Sequence, residues 1–272
     1  MRISDGSTEV YGIMGWPVAH SLSPAIQNRA FRELGLNKVY VPFPAEDVEA
    51  ALDGFRALNI RGVSVTIPHK QAVIPFLDSI DPVAARIGAV NTLVIKDGRI
   101  DGSNTDWQGA NRALAEVVEL AGTKVVLLGA GGSARALGFG LLEAGAEVVI
   151  ASRTPVSGLA LAADLDCTWM PLAEVAGLQA DVLVNATSVG MAPAPENTPV
   201  PAEILAGYRV VMDIVYSPLE TRLLREAAGA GCRVVNGLAM LLYQGAAQFE
   251  LWTGRPPPIE AMRQELDQFL KK

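Results

Sequence analysis

Hydrophobic residues fall in short blocks along the chain, and the spacing inside each block predicts its element. In "KVVLLGAGGSARALGFGLLEAGAEVVIASRT", residues 124–154, a continuous apolar run at 125–128 is followed by glycines, a helical-period stretch over 132–143 and a second apolar run at 148–151. That pattern predicts a βαβ unit. "ADVLVNATSVGM" is another buried strand emptying into a polar loop, and "YRVVMDIVYSPLETRLL" repeats the design with a strand over 210–215. In the latter, Ser217, Pro218 and Glu220 spell a capping box with proline at the first helical position, which predicts a helix starting there and a structural duty for Ser217. The first hundred residues alternate differently. They give strands at 8–15, 38–44 and 62–68, helices at 24–34 and 45–58, and a strand-rich stretch over 89–106. Two long helical segments, 237–254 and 256–272, close the chain.

At 272 residues, with half of them hydrophobic, the chain exceeds one ordinary core, and two domains are expected. The division falls as residues 1–105, completed by 238–272, and residues 106–237. A formal net charge of -7 argues against a nucleic-acid footprint. Cys167 and Cys232, with only His20 and His69 as histidines, offer neither zinc spacing nor a disulfide framework, so no metal is expected. The N-terminal residues lack a signal-peptide pattern, and acids interrupt the longest apolar stretches. A cytoplasmic protein without membrane partners is the expectation.

Candidate chemistry concentrates where strands end. Gly129, Gly131 and Ala134 fit G-x-G-x-x-A between a strand and a helix: one glycine for the turn, one for close approach of a pyrophosphate, and a small residue where helix meets strand. The helix N-terminus then faces the phosphates. At the end of the second strand, where a carboxylate would mark NAD, stand Ser152, Arg153 and Thr154. A guanidinium there suits a 2'-phosphate and favours NADP. No second cation follows Arg153. The loops at Gly129, Arg153, Thr187 and Tyr216 should line one crevice at the carboxyl ends of the strands. In the first domain, Ser23 before Pro24 reads as a helix cap, whereas Ser21 has no such duty. "SVTIPHK" ends a strand and leaves His69 and Lys70 on a turn, where Lys70 by itself reads as a solvated cation before it reads as a proton carrier. Asn91 fits a turn and Asp106 an N-cap.

Together, "GWPVAHSLSP", "VSVTIPHK", "GAVNT", "NTD", "GAGGSAR", "NATSVGM", "DIVYSPLETRLL" and "NGLAMLLYQGAAQFELWTG" resemble the shikimate dehydrogenase family in order and spacing over nearly the whole chain. The resemblance implies an α/β fold: an N-terminal substrate domain, a Rossmann-type doubly wound dinucleotide-binding domain, and C-terminal helices returning to the first. It implies NADP-linked interconversion of 3-dehydroshikimate and shikimate in aromatic amino-acid biosynthesis, by a monomer or homodimer. Carried over, catalysis falls on Lys70 with Asp106, which would hold the ammonium and hydrogen-bond the substrate. Substrate contacts fall on Ser21, Ser23, Thr66, Asn91, Asp106, Tyr216 and Gln244. Cofactor contacts fall on Gly129, Ala130, Gly131, Gly132, Ser133, Ala134, Ser152, Arg153, Thr154, Thr187, Ser188, Ile214, Gly237 and Met240. Two other readings of the same fold are an NAD-linked quinate or shikimate dehydrogenase and a noncatalytic ligand sensor. The absence of an acid at 152 or 153 opposes the first, and retention of both Lys70 and Asp106 opposes the second.

Overall fold

The structure, a computed structural model, describes the backbone of residues 5–270 and the side chains of residues 5–268. The chain divides into two compact units, one comprising the residues up to Thr105 with those from Gln244 onward, the other Asp106–Tyr243.

The first unit runs β1 (Glu9–Gly15), α1 (Ser23–Glu33), β2 (Lys38–Pro44), α2 (Val48–Ala57), β3 (Gly62–Val65), β4 (Ser79–Ile80), α3 (Pro82–Ile87), β5 (Thr92–Lys96) and β6 (Arg99–Ser103). Its six-stranded sheet has the order β2-β1-β3-β5-β6-β4. β1 pairs in parallel with β2 and β3, and β5 runs antiparallel to β3 and β6. Val48, Leu52 and Phe55 recur at helical spacing on α2 and pack on Val63, Val65, Leu93 and Ile100 of the sheet. Each such side chain stabilises the unit by about 1.5–3 kcal/mol. The Asp47 carboxylate caps α2 by accepting the Ala50 N–H at 3.0 Å.

In the second unit, α4 (Asp106–Ala115), β7 (Lys124–Leu128), α5 (Gly132–Glu143), β8 (Glu147–Ser152), α6 (Pro155–Leu165), β9 (Thr168–Pro171), β10 (Val182–Asn185), β11 (Val210–Asp213), α7 (Arg222–Gly229) and β12 (Arg233–Val235) follow in order. Its sheet is wholly parallel, with the order β12-β11-β10-β7-β8-β9. That is the doubly wound dinucleotide-binding order, whose switch point lies between β7 and β10. Both faces of β7 are buried, as a parallel sheet covered by helices requires.

The chain ends with α8 (Gly237–Thr253) and α9 (Ile259–Leu270). The sequence places this domain boundary after Gly237, the first residue of α8; the two compact units divide further along that helix, between Tyr243 and Gln244. The later part of α8 and α9 belong to the first unit. There Phe249 stacks on Phe31 with ring centroids 5.6 Å apart, Trp252 donates to the Leu93 carbonyl at 2.9 Å, and α9 packs on α1.

Three local expectations are corrected. α1 starts at Ser23 itself, with no side-chain cap, and the hydroxyl of Ser21 accepts the Ser23 N–H at 3.2 Å, so the turn duty falls to Ser21. No helix starts after Ser217. α7 begins at Arg222, because the Thr221 hydroxyl rather than Ser217 takes the cap and accepts the Leu224 N–H at 3.3 Å. β11 ends at Asp213, two residues before the apolar run does, because the Asp213 carboxylate captures the Val215 N–H at 3.0 Å and turns the chain.

Candidate active site

In the second unit the site starts at the turn after β7. Gly129 adopts φ +113°, a left-handed conformation open to glycine, and a Cβ there would stand 3.0 Å from the Thr187 methyl and 3.2 Å from the Ala186 carbonyl. Gly131 precedes α5 without a side-chain cap, so the first N–H groups of that helix face outward for an anion. This turn, the end of β8 and the loop after β10 enclose a cavity of about 660 Å³, lined by Gly129, Gly131, Arg153, Thr187, Val189 and Arg222 among others.

Each wall is fixed by hydrogen bonds. Ser152 is buried, donates its hydroxyl proton to the Thr154 carbonyl at 3.1 Å and accepts from the Trp169 indole at 3.0 Å. Its hydroxyl is thus engaged within the wall, holding the turn from which the exposed Arg153 projects. On the opposite wall Asn185 accepts the Thr187 N–H at 3.1 Å and the Thr187 hydroxyl at 2.7 Å, and Thr187 accepts the Val189 N–H at 3.1 Å. Beneath them the wholly buried Asp213 takes Asn185 Nδ2 at 3.0 Å and the Thr221 hydroxyl at 2.7 Å. Burial pushes its carboxyl up to about 6 against the lowering effect of these hydrogen bonds. A Cβ on Gly237, at the start of α8, would collide with the Ile214 carbonyl, so these two residues lie in direct backbone contact.

In the first unit the polar residues gather beyond the carboxyl ends of β1 and β3. The Thr66–Lys70 turn is held by the His69 N–H on the Thr66 carbonyl at 2.9 Å and by the buried His69 ring, whose Nε2 lies 2.7 Å from the Ala45 carbonyl. Backbone bonds tie both ends of this turn to the segment at Val90 and Asn91: the Val65 N–H at the end of β3 donates to the Asn91 carbonyl at 2.8 Å, and the Val90 N–H to the Lys70 carbonyl at 2.8 Å. The Asn91 amide is gripped on several sides. Its Oδ1 accepts the Thr105 N–H at 2.8 Å and the Thr92 hydroxyl at 2.6 Å, while Nδ2 donates to Thr105 Oγ1 at 3.0 Å and approaches Gln244 Oε1 at 3.4 Å. Below lies Gln248, wholly buried, which accepts from Ser64 at 2.7 Å and donates to the Asn91 carbonyl at 3.1 Å and to Thr92 at 3.0 Å.

Of the residues singled out in the sequence, Ser21, Ser23, Thr66, Lys70, Asn91 and Gln244 stand in the first unit, and Asp106, Tyr216 and the dinucleotide set in the second. Lys70 is half-buried, and Asp106 is buried at the first position of α4. Gly129, Ala130, Gly131, Ser152, Arg153, Thr154 and Thr187 line the cavity. Tyr216 is not in that lining, Ala134 is wholly buried where α5 meets the sheet, and Ser188 is exposed. Met240 is buried on α8, three residues beyond Gly237. Gln248 lies one turn beyond Gln244 on the helix face expected to border the crevice, whereas three residues of these walls were not singled out from the sequence as site residues: Trp169, Asp213 and Arg222. Arg222 brings a second guanidinium to the cavity from α7, with Nη1 on the Glu196 carbonyl at 3.0 Å and Nε on Glu226 at 2.6 Å. Only its distance along the chain from Arg153 hid it.

Comparison with known proteins accords with this arrangement. Residues 13–93 match the family model of the shikimate dehydrogenase substrate binding domain, and residues 237–266 that of the shikimate 5'-dehydrogenase C-terminal domain. Residues 124–203 match the model described as NADP oxidoreductase coenzyme F420-dependent. The NADP(+) shikimate dehydrogenase of Methanothermobacter thermautotrophicus is 47% identical, the match covering 98% of this chain and 99% of that one. The Moorella thermoacetica enzyme of the same name is 48% identical over 94% of this chain and 92% of its own length. Among solved structures, the Thermus thermophilus shikimate 5-dehydrogenase in complex with NADP(H) and shikimate superposes with a TM-score of 0.88 at 42% identity, covering 96% of this chain and 99% of that one. Since the likeness runs through both units at such identity, the chain belongs to the shikimate dehydrogenase family.

Proposed function

We propose that the chain catalyses the reversible NADP-dependent reduction of 3-dehydroshikimate to shikimate, with Lys70 exchanging the proton and Asp106 as the carboxylate that works with it. The observation that carries this reading is similarity over 98% of the chain to an NADP(+) shikimate dehydrogenase, which takes in both the glycine turn and the amide–hydroxyl cluster around Asn91. The cavity fits NADP. Its glycine turn has room for a pyrophosphate, Arg153 stands at the end of β8 without a neighbouring acid, and Arg222 adds a second positive group. The one carboxylate in that lining, Glu196, lies 3.9 Å from Arg225.

Bound NADP supplies the acceptor for the hydride leaving the hydroxyl-bearing carbon. The chain's own residues handle the proton and the substrate. In the oxidising direction the Lys70 amine takes the proton of the C3 hydroxyl, and in the reducing direction its ammonium returns one to the forming alkoxide. Ser21, Thr66, Asn91 and Gln244 offer a small carboxylate bearing three hydroxyls a set of neutral donors and acceptors. The Asn91 amide, already held by Thr92 and Thr105, is oriented before substrate arrives. Among the described residues no helix is long and apolar enough to cross a membrane and no cluster could hold a metal ion. We read the protein as a cytoplasmic enzyme, a monomer or homodimer.

The test is formation of NADPH, followed by absorbance, from shikimate and from quinate, with NADP and NAD offered in parallel. Turnover of shikimate with NADP is expected. Preference for NAD or quinate would establish the alternative dehydrogenase, and binding without turnover would establish a sensor.

A further inference from the structure

We propose that Asp213 is a positioning residue for cofactor binding: without touching the cofactor, its carboxylate orients the Asn185 amide and so fixes the 187–190 loop against the glycine turn. The inference rests on reading the adjoining cavity as the NADP site. Asp213 is wholly buried at the last position of β11, and all its hydrogen-bond partners are neutral: Asn185 Nδ2 at 3.0 Å from β10, the Val215 N–H at 3.0 Å, and the Thr221 hydroxyl at 2.7 Å from the cap of α7. The charged residues that follow on α7 are engaged elsewhere: Arg222 pairs with Glu226 at 2.6 Å, and Arg225 lies 3.9 Å from Glu196. A buried carboxylate without a cation is costly, and ending a strand does not demand one.

The carboxylate supplies direction. It can only accept, so Asn185 must turn Nδ2 toward it and Oδ1 away. That Oδ1 is the atom that accepts the Thr187 N–H at 3.1 Å and the Thr187 hydroxyl at 2.7 Å. Were the amide reversed, its NH2 would meet the Thr187 N–H, that bond would be lost, and the Thr187 hydroxyl would have to turn from donor to acceptor. With the direction fixed, Thr187 in turn accepts the Val189 N–H, and Asn185 Nδ2 also reaches the Val189 carbonyl at 3.2 Å. Thr187 and Val189 face the cavity together with Gly129 and Gly131, and the Thr187 methyl would lie only 3.0 Å from a Cβ on Gly129. A neutral side chain at 213 that offers both a donor and an acceptor removes the carboxylate's share of this constraint and leaves the direction to the Thr187 N–H and the Val189 carbonyl alone, so the loop is held less firmly. Burial sets the carboxyl at about 6, so the parent chain itself passes to the neutral form in mild acid.

The experiment measures the dissociation constant of NADP for the full chain and for Asp213→Asn by titration calorimetry between pH 5 and 8.5, with steady-state KM values for NADP and shikimate at pH 8. Asp213→Asn is expected to raise the NADP dissociation constant about 5- to 20-fold at pH 8, with KM for shikimate changed less than about twofold. The two pH curves should converge below the parent's transition near pH 6. Titration of the cofactor's own 2'-phosphate is common to both and cancels in the difference. Asn185→Ala should show a loss of similar size, and the double variant no more than the larger single. Parental NADP affinity in Asp213→Asn across the range, a constant offset independent of pH, or equal rises in both KM values would overturn the inference. Should Asp213→Asn not fold, parental affinity in Asn185→Ala does the same. A parent chain that fails to bind NADP removes the reading of the cavity itself, whereas a binding parent with an indistinguishable Asp213→Asn removes this inference alone.

Discussion

Replacing Gln248 with methionine keeps most of its volume and removes its hydrogen bonds, which isolates what the buried amide contributes beneath Asn91. Three bonds go: Ser64 to Oε1, and Nε2 to the Asn91 carbonyl and to Thr92. None of the partners is wholly orphaned, since the Asn91 carbonyl still accepts the Val65 N–H, Thr92 still donates to Asn91 Oδ1 and Ser64 still pairs with Tyr40 at 2.6 Å. At about 1 kcal/mol net for each bond, with part of it recovered, the loss is about 2–3 kcal/mol. For a chain of this size that lowers the melting midpoint by roughly 5–10 °C. Gln248→Ala leaves a cavity as well and should fall about 1–2 kcal/mol further. Because one lost bond supports the Asn91 carbonyl and another the Thr92 hydroxyl that holds the Asn91 amide, KM for shikimate should rise about 3- to 10-fold, with KM for NADP unchanged within about twofold. Thermal melts with both KM values at one pH decide the matter. A methionine variant with parental melting and a parental shikimate KM would refute the reasoning, as would equal rises in both KM values.

Arg153→Ala should weaken NADP by about 1.5–3 kcal/mol, roughly 10- to 150-fold, while leaving NAD nearly untouched, as read by parallel titrations with both nucleotides. Arg222→Ala should cost NADP less, because its guanidinium is already engaged by Glu226 and the Glu196 carbonyl. Asp213 has a folded-state value of about 6 against an ordinary 3.8, so its burial subtracts stability as pH rises through that window, amounting to roughly 3 kcal/mol above it. Asp213→Asn should therefore melt higher than the parent at pH 8, with the gain vanishing toward pH 4; a gain that grows in acid would reverse the sign of the argument.

The sequence made the β7–α5–β8 unit legible because each element carries its own local signal: an apolar run, a glycine break, a helical period. α5 spans the residues that the period assigns it, 132–143. The Ser217 capping box misled because its signal is equally local, while the true start of α7 is decided by Thr221, which binds Leu224 N–H on one side and Asp213 on the other. Ile214 and Val215 continue an apolar pattern, yet the bond from Val215 N–H to Asp213 ends the strand before them. In the site, Arg153 and the glycines could be picked out because they sit at fixed offsets from strand ends. Arg222 across from Arg153 and Trp169 behind Ser152 could not. Each is joined to its neighbour only by tertiary packing, and no spacing along the chain encodes that.

The central claim is that Lys70 carries the proton in a shikimate–NADP reaction, and turnover of Lys70→Ala tests it most directly. The variant's kcat for shikimate oxidation should fall by about 10²- to 10⁴-fold, the range for a lost general acid or base, with dissociation constants for shikimate and NADP within a few-fold of the parent. A folded Lys70→Ala chain whose kcat stays within a few-fold of the parent would contradict the account and leave Lys70 a solvated cation on its turn.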